Sequence, residues 1–204
     1  MTQRAMTQRP MTQDRQVVLA LGSNLGDRLA SLQAGVDHLS AAPGLRVSAV
    51  SAVFETVPVG GPPQPDYLNA VLLAESLLPA LQILRLCQDA EQALGRVRDQ
   101  RWGPRTLDVD LIACDDEVSS DPELTLPHPR AHERAFVLLP WLDVDAGAQL
   151  VGLGPVADLV AQVDQTGVTR LTNKSLKGPG AWGCGGAVPP QVRQKSSDAG
   201  SDAD

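Results

Sequence analysis

Two aspartates separated by a single residue, Asp108 and Asp110, form the most specific chemical feature of this sequence. They lie in an apolar alternation typical of a β-strand, where residues two apart project from one face, about 6.6 Å apart along the strand. Aspartate is unfavourable in strands and like charges on one face repel, so a bound cation would offset this cost. Magnesium binds through one or two such carboxylates together with phosphate oxygens. The pair therefore predicts a magnesium site, although a strand with a solvated acidic face would show the same pattern.

Four arginines lie within the ten residues 96–105, shortly before this pair: Arg96, Arg98, Arg101 and Arg105. Guanidinium groups bind phosphate oxygens in a bidentate manner, so the cluster is suited to hold a polyphosphate. A helix C-terminus, where arginine offsets the helix dipole, would explain Arg96 and Arg98 but not Arg105. Arginines beside a carboxylate pair indicate phosphoryl transfer assisted by Mg²⁺. The sequence contains no G-x-x-x-x-G-K-[ST] loop and no protein-kinase signature, which excludes the common ATP-binding folds.

One histidine and two aromatic rings are the remaining candidates. His128 lies between Pro127 and Pro129, which would keep its ring from packing on a regular element, although a lone histidine is more often structural. Tyr67 is the only tyrosine and follows a loop rich in glycine and proline. It and Phe136 could be core residues, or they could offer aromatic faces to a planar substrate.

The composition limits the class of partner. The chain has 204 residues and a net charge of −7, which disfavours wholesale binding to nucleic acid or to an anionic membrane. Its three cysteines form no C-x-x-C pair and are expected to be reduced thiols. No apolar run reaches the roughly 18 residues of a membrane span, and the N-terminus lacks the apolar segment of a secretory signal. We therefore expect a cytoplasmic protein, monomeric by default, without a nucleic-acid or membrane partner.

Apolar periodicity predicts the elements that position these residues. Strands are predicted at residues 17–21, 45–55, 67–75 and 107–114. Helices are predicted at 25–39 and 79–95, with further short helices near 136–141 and 156–163. The order strand-helix-strand-strand-helix-strand is that of a ferredoxin-like α+β sandwich. Residues 1–16 and 173–204 lack core-forming composition, so they are expected to be disordered on either side of one domain at 17–172.

Five segments occur in an order that resembles a single enzyme family. They are LGSNLG at 21–26, PDYLN at 65–69, GRVR at 95–98, RWGPRTLDVD at 101–110, and PHP with ERAF within 127–136. Together they resemble the 6-hydroxymethyl-7,8-dihydropterin pyrophosphokinases of folate biosynthesis, over residues 17–148. One such segment would be weak evidence, whereas five in register are specific. The resemblance implies a ferredoxin-like fold with added helices, in which the pterin hydroxymethyl oxygen attacks the β-phosphorus of ATP and AMP leaves.

The same resemblance implies roles for individual side chains. Two Mg²⁺ ions would be held by Asp108 and Asp110, and Asp108 would also face the pterin. Catalytic phosphate contacts would come from Arg96, Arg98 and Arg105, with Trp102 moving on the same loop. Further contacts to ATP would come from Gln88, Glu91, Leu111, Leu124, Thr125, His128 and Arg134. The pterin would lie between Tyr67 and Phe136, and its edge would meet Thr56, Val57, Val59 and Asn69.

Three positions depart from the residues often found in that family. Asp99 stands where some members have lysine, Glu123 where some have arginine, and Val57 where proline is frequent. A two-metal phosphodiesterase or nucleotidyltransferase could use the same aspartate pair, but it would need a general base or basic groove that the sequence lacks. A second alternative is a ferredoxin-like binding module, but this hypothesis assigns no role to the aspartates and arginines. The nucleotide product separates these hypotheses, because only the pyrophosphokinase releases AMP while it modifies a pterin.

Overall fold

The structure is a computed structural model that describes residues 14–58, 63–95 and 105–178. The first part of the chain contains β1 (Arg15–Ser23), α1 (Arg28–Ala41), β2 (Leu45–Val50), β3 (Phe54–Thr56), β4 (Tyr67–Ser76), α2 (Ala80–Ala93) and β5 (Asp108–Cys114). The second part contains β6 (Ser119–Ser120), β7 (Thr125–Leu126), a 3₁₀ turn (Ala131–Glu133), α3 (Ala135–Val144), β8 (Gln149–Leu150), β9 (Gly154–Pro155), α4 (Val156–Val160) and β10 (Val168–Arg170). None of the described helices has the length and apolar character needed to cross a bilayer.

One antiparallel sheet carries most of the predicted site residues. Its strands are ordered β10-β3-β4-β1-β5, and β2 pairs with the same edge of β4 as β3 does. Near its centre, Gly22 of β1 lies opposite Asn69 of β4 on one side and Asp108 of β5 on the other. The predicted mixture of helices with an antiparallel sheet is therefore confirmed.

Apolar side chains cover both faces of this sheet. Helices α1 and α2 pack on one face, in a cluster that includes Leu19 and Leu72 of the sheet. Helices α3 and α4 pack on the other face, in a cluster that includes Val18 and Val71. Because successive strand residues point to opposite faces, burial on both sides requires nearly continuous apolar runs. The polar residues of the site interrupt these runs, on the face that α3 covers only in part.

The structure divides the predicted strand at 45–55 into β2 and β3. Between them, the backbone N–H of Ala52 donates to a carboxylate oxygen of Asp143 in α3 at 2.8 Å. The sequence could not show this break, because apolar residues continue through it and Asp143 lies 91 positions away.

Residues just outside both predicted domain boundaries, 17 and 172, also make contacts with the folded domain. Strand β1 begins at Arg15, whose guanidinium forms an ion pair with Glu117 at 2.7 Å. Towards the C-terminus, the backbone N–H of Lys177 donates to the Gln33 side chain at 2.7 Å, and its carbonyl accepts from the same side chain at 3.2 Å. Leu176 packs against the cluster beneath α1 and α2. Residues 1–13 and 179–204 of the predicted tails lie outside the described residues.

Candidate active site

Asp108 and Asp110 project from β5 into one cavity. Their side chains are 26% and 35% exposed, so both carboxylates are accessible to a ligand. Between them, Val109 packs into the opposite apolar cluster, and its backbone N–H donates to the buried carboxylate of Glu91 at 2.9 Å. The strand periodicity thus separates two acidic side chains from an apolar one, as the spacing predicts.

Three basic side chains surround the two carboxylates. Arg105 Nη1 lies 2.5 Å from Asp108 Oδ1, and Arg134 Nη1 lies 3.1 Å from Asp110 Oδ2. His128 Nε2 lies 3.8 Å from the same oxygen of Asp110. These five residues are called the charged half of the site below.

Burial and mutual repulsion shape the electrostatics of the charged half. Burial raises the pKa of Asp110, and the negative charge of Asp108 raises it further, while His128 and Arg134 act in the opposite direction. Burial would lower the pKa of Arg105, but its ion pair with Asp108 outweighs that effect and the pKa is raised, so the guanidinium stays charged. A divalent cation would favour ionised Asp110, because it would counter the repulsion from Asp108.

The donor set of the charged half fits magnesium. Within the described residues, no group of three or more His, Cys, Asp or Glu side chains is placed to hold a metal ion. Magnesium keeps several waters and binds through one or two carboxylates plus substrate phosphates, so two accessible aspartates are sufficient.

Asn24 connects the charged half to the loop before β4. Its side chain accepts from the backbone N–H of Arg105 at 2.8 Å, and its own backbone N–H donates to the carbonyl of Arg105 at 3.1 Å. Its amide donates to Gln64 Oε1 at 2.9 Å and to the carbonyl of Pro65 at 3.3 Å. Because Asn24 is buried, these bonds fix two loops relative to β1. Asn24 was not among the predicted site residues, although the LGSNLG segment contains it.

A second group of side chains is uncharged: Thr56, Tyr67, Asn69 and Phe136, called the neutral half below. Asn69 Nδ2 donates to Thr56 Oγ1 at 2.8 Å, and both residues are buried. Burial raises the pKa of Tyr67, although the nearby Arg105 acts against this, so the phenol keeps its proton. That hydroxyl donates to Gln64 Oε1 at 3.2 Å. The neutral half thus offers amide and hydroxyl groups beside aromatic rings.

Gly22 lies between the two halves on the central strand. A Cβ atom at this position would lie 3.2 Å from Asn69 Oδ1 and 3.8 Å from Tyr67 Cδ1. The absence of a side chain therefore leaves the floor of the cavity open between Asn69 and Asp108.

Arg134 also links the halves. Besides its ion pair with Asp110, its guanidinium carbon lies 5.6 Å from the ring centroid of Phe136, which is within the range of a cation–π contact. Phe136 lies in the first turn of α3, and Arg134 immediately precedes this helix.

All residues of the two halves except His128 line a cavity of about 440 Å³, a size typical of small-molecule sites. Of the predicted residues, it brings together Thr56, Val57, Tyr67, Asn69, Arg105, Asp108, Asp110, Arg134 and Phe136. Other residues that line the cavity were not among the predicted site residues, including Gly22, Gln64, Arg130, Glu133, Asp164, Thr166, Gly167 and Val168.

Some predicted ATP contacts lie apart from this cavity. Leu111 and Leu124 belong to the apolar cluster beneath α1 and α2, the opposite face of β5 from the two aspartates. Gln88 and Glu91 lie on α2, and Glu91 is 3% exposed. Thr125 is exposed in β7. The predicted residues Val59, Arg96, Arg98 and Trp102 lie outside the described residues.

The sequence is similar to one family of enzymes. Residues 18–146 match the family model described as 7,8-dihydro-6-hydroxymethylpterin-pyrophosphokinase. A 2-amino-4-hydroxy-6-hydroxymethyldihydropteridine pyrophosphokinase from Mycobacterium leprae is 50% identical over 179 residues, which cover 79% of this chain and 91% of that protein. The protein of the same name from Bacillus subtilis is 37% identical over 157 residues, which cover 77% and 90% respectively.

Solved structures agree at the level of the fold. The chain superimposes on the Plasmodium falciparum HPPK-DHPS crystal structure with pteroate with a TM-score of 0.58 and 11% identity. The match covers 74% of this chain but only 44% of the Plasmodium chain, so it concerns one part of a longer protein.

Proposed function

The chain belongs to the 7,8-dihydro-6-hydroxymethylpterin-pyrophosphokinase family, whose members transfer pyrophosphate from ATP to hydroxymethyldihydropterin in folate biosynthesis, and we propose that the described cavity is where this chain performs that reaction. It is accordingly an ATP-dependent transferase. One observation carries the assignment of the site: a single cavity joins the charged half, suited to phosphate and metal, to the neutral half, suited to a flat polar ring.

The charged half would hold the reacting phosphates. Asp108 and Asp110 would bind Mg²⁺, which when bound neutralises phosphate oxygens and stabilises charge that develops during transfer. We propose two such ions. Arg105, fixed by Asn24 and kept charged by Asp108, would donate to phosphate oxygens as the bond to AMP breaks. Arg134 is placed to act in the same way beside Asp110.

The neutral half would bind the pterin. Aromatic rings supply stacking surface, while the Asn69 amide and the Thr56 hydroxyl can pair with the polar rim of the heterocycle. The hydrogen bond between Asn69 and Thr56 fixes the orientation of both groups before the substrate arrives. Preorganisation of this kind lowers the entropy lost on binding. It would hold the hydroxymethyl oxygen towards Asp108 and the phosphates.

ATP would reach the charged half around the edge of the sheet. In the described residues β5 is the last strand of the sheet on this side, and the predicted ATP contacts Leu111 and Leu124 lie on its far face. A nucleotide whose phosphates lie at the aspartates and whose base lies towards Leu124 would therefore cross this edge. His128, whose backbone N–H donates to the carbonyl of Ile112 at 2.8 Å, lies along the same edge.

Three further proposals concern the whole chain. The sheet order, with β5 beside β1 and β2 with β3 beside β4, supports a ferredoxin-like topology. We also propose a monomer, which light scattering would test. A cytoplasmic location is supported by Cys87 and Cys114, which are free and buried thiols.

The test of the function is a product analysis. The purified chain is incubated with ATP, Mg²⁺ and 6-hydroxymethyl-7,8-dihydropterin, and nucleotides and pterins are separated by chromatography. We expect AMP and the pterin diphosphate in equal amounts. ADP would indicate a simple kinase, and AMP or pyrophosphate formed without the pterin would indicate a hydrolase.

A further inference from the structure

One wall of the cavity comes from a part of the chain beyond the family match at residues 18–146. Asp164, Thr166, Gly167 and Val168 line the cavity there, and residues 164–168 are called the C-terminal wall below. The wall is held to β3, because Val168 lies opposite Thr56 in the antiparallel pairing of β10 with β3. The backbone N–H of Val57 also donates to the carbonyl of Gly167 at 3.2 Å.

Gly167 makes an unusually close approach to Val57. Its φ of +76° lies in the left-handed region that side chains disfavour. A Cβ atom at position 167 would lie 2.1 Å from Cγ2 of Val57, a distance that neither atom could accept. Any residue other than glycine would therefore displace Val57 or the C-terminal wall.

Contacts of the residues that follow it hold the C-terminal wall in place. The backbone N–H of Leu171 donates to the carbonyl of Val53 at 2.8 Å, and Arg170 forms an ion pair with Asp143 of α3 at 3.0 Å. The same Asp143 accepts the backbone N–H of Ala52. Since Arg170 and Leu171 fix the chain directly after the wall, the freer group is Val57, which is 50% exposed just after β3.

We propose that Gly167 is a positioning residue for pterin binding, which sets where Thr56 and Val57 meet the pterin. It does so in two ways: it accepts the N–H of Val57, and its lack of a side chain lets Val57 pack against the wall. A proline at position 57 would have no N–H to donate. The bond to Gly167 therefore depends on the residue that this chain carries. The inference rests on the proposed pterin site.

The alternative is that Gly167 is needed only for the backbone conformation of its turn. Another glycine of the chain provides a matched control for this alternative. Gly152 has the same φ of +76°, but nothing lies within 4 Å of a Cβ atom placed there. It does not line the cavity. G152A therefore introduces the backbone strain of G167A without the contact to Val57.

The experiment compares wild type, G167A, G152A, V57A and the double variant G167A/V57A in full-length chains, and V57A gives the reference KM for the double variant. The KM values for 6-hydroxymethyl-7,8-dihydropterin and for ATP are measured from AMP release. Displacement of a binding group by about 1 Å can cost up to 100-fold, so we expect G167A to raise the pterin KM about tenfold or more while the ATP KM changes less than about twofold. G152A should leave both KM values near wild type. Because V57A removes the clashing methyl group, the pterin KM of the double variant should fall from that of G167A to about that of V57A alone.

Three results would overturn the inference: an unchanged pterin KM in G167A, equal rises in both KM values, or no recovery in the double variant. If G167A does not accumulate as folded protein, the double variant carries the test. A pterin KM close to that of V57A alone then supports the inference, and one raised well above it overturns it. A wild-type chain that forms no AMP with the pterin would instead overturn the proposed function, so the two failures are distinguishable.

Discussion

The charged half and the neutral half of the cavity are assembled in different ways. Three of the five residues of the charged half, Arg105, Asp108 and Asp110, lie within six consecutive residues on one strand and its preceding loop, and His128 and Arg134 join them from later in the chain. The neutral half draws on β3, β4 and the start of α3, and it is closed by the C-terminal wall. A local arrangement can be deduced from spacing, whereas the neutral half exists only once distant segments pack. The proposed function assigns chemistry to the first and substrate selection to the second, and substitutions can separate these roles.

The largest effect is expected from D110N in the charged half. The variant keeps the size of the side chain but removes the negative charge that would hold Mg²⁺. Turnover should fall more than about 1,000-fold, since metal ions contribute several kcal/mol of transition-state stabilisation. AMP release under single-turnover conditions measures this, with D158N on the exposed surface of α4 as the control. If D110N retains most of its activity at ordinary Mg²⁺, the metal site lies elsewhere.

R105A tests whether the charged half acts on the transition state rather than on binding. Loss of a preorganised donor costs about 3–4 kcal/mol of the barrier, so turnover should fall roughly 100- to 1,000-fold. Pterin affinity should stay nearly unchanged, because Arg105 is expected to contact phosphate. R85A is the control, since Arg85 lies on the exposed surface of α2, where it forms a 3.9 Å pair with Glu123. Equal losses of pterin affinity and turnover would identify Arg105 as a structural residue.

The contrast between the halves also explains what the sequence could predict. The alternation through Asp108 and Asp110 identified their common face, because strand periodicity is a local property. Asn24 could not be assigned in this way, since its partners Gln64 and Arg105 approach it only through pairing of β1 with β4 and β5. The same reason applies to Gly167, because its partner Val57 lies 110 positions earlier in the chain. Local pattern thus predicted most elements and the Arg105, Asp108 and Asp110 part of the charged half, but not the C-terminal wall or the hydrogen bonds that fix the loops.

Y67A and F136A should affect binding rather than chemistry. Stacking of an aromatic ring on a nucleic-acid base contributes about 1–3 kcal/mol, which on the same scale predicts a roughly 5- to 150-fold loss of pterin affinity. Calorimetric titration of the pterin with Mg²⁺ and a non-hydrolysable ATP analogue measures it. Y67F is the matched control, because it keeps the ring and removes only the hydroxyl.

Thermal melting must accompany these titrations, because removal of a core phenylalanine costs about 3–5 kcal/mol. Phe136 is half-buried and packs against the cluster beneath α3. If F136A unfolds while Y67A binds the pterin normally, both rings are packing residues and the neutral half is not the pterin site.

Substitutions of Glu91 distinguish two possible roles of this residue, which are to support the charged half and to contact ATP. Its buried carboxylate accepts the N–H of Val109, the residue between the two aspartates. E91A leaves this donor without that acceptor, which costs about 1–3 kcal/mol and should lower the melting temperature by several degrees. E91Q keeps an oxygen acceptor and should melt closer to wild type. A normal melting temperature for E91A with a raised ATP KM would instead favour direct contact with ATP.

The smallest effect is expected far from both halves, where the chain after residue 172 contacts α1. A chain shortened to residues 14–178 keeps the two hydrogen bonds between Gln33 and Lys177 and the packed Leu176, whereas one that ends at residue 173 loses all three. Exposed hydrogen bonds and a partly buried leucine together contribute about 1–2 kcal/mol, so the shorter chain should melt a few degrees lower. Its KM values for ATP and the pterin should match those of the longer chain, because Gln33 does not line the cavity. Q33A in the longer chain is the matched variant, since it removes both hydrogen bonds and keeps Leu176. If the two chains have the same melting temperature, these contacts contribute nothing measurable to stability and the domain ends where its composition predicts.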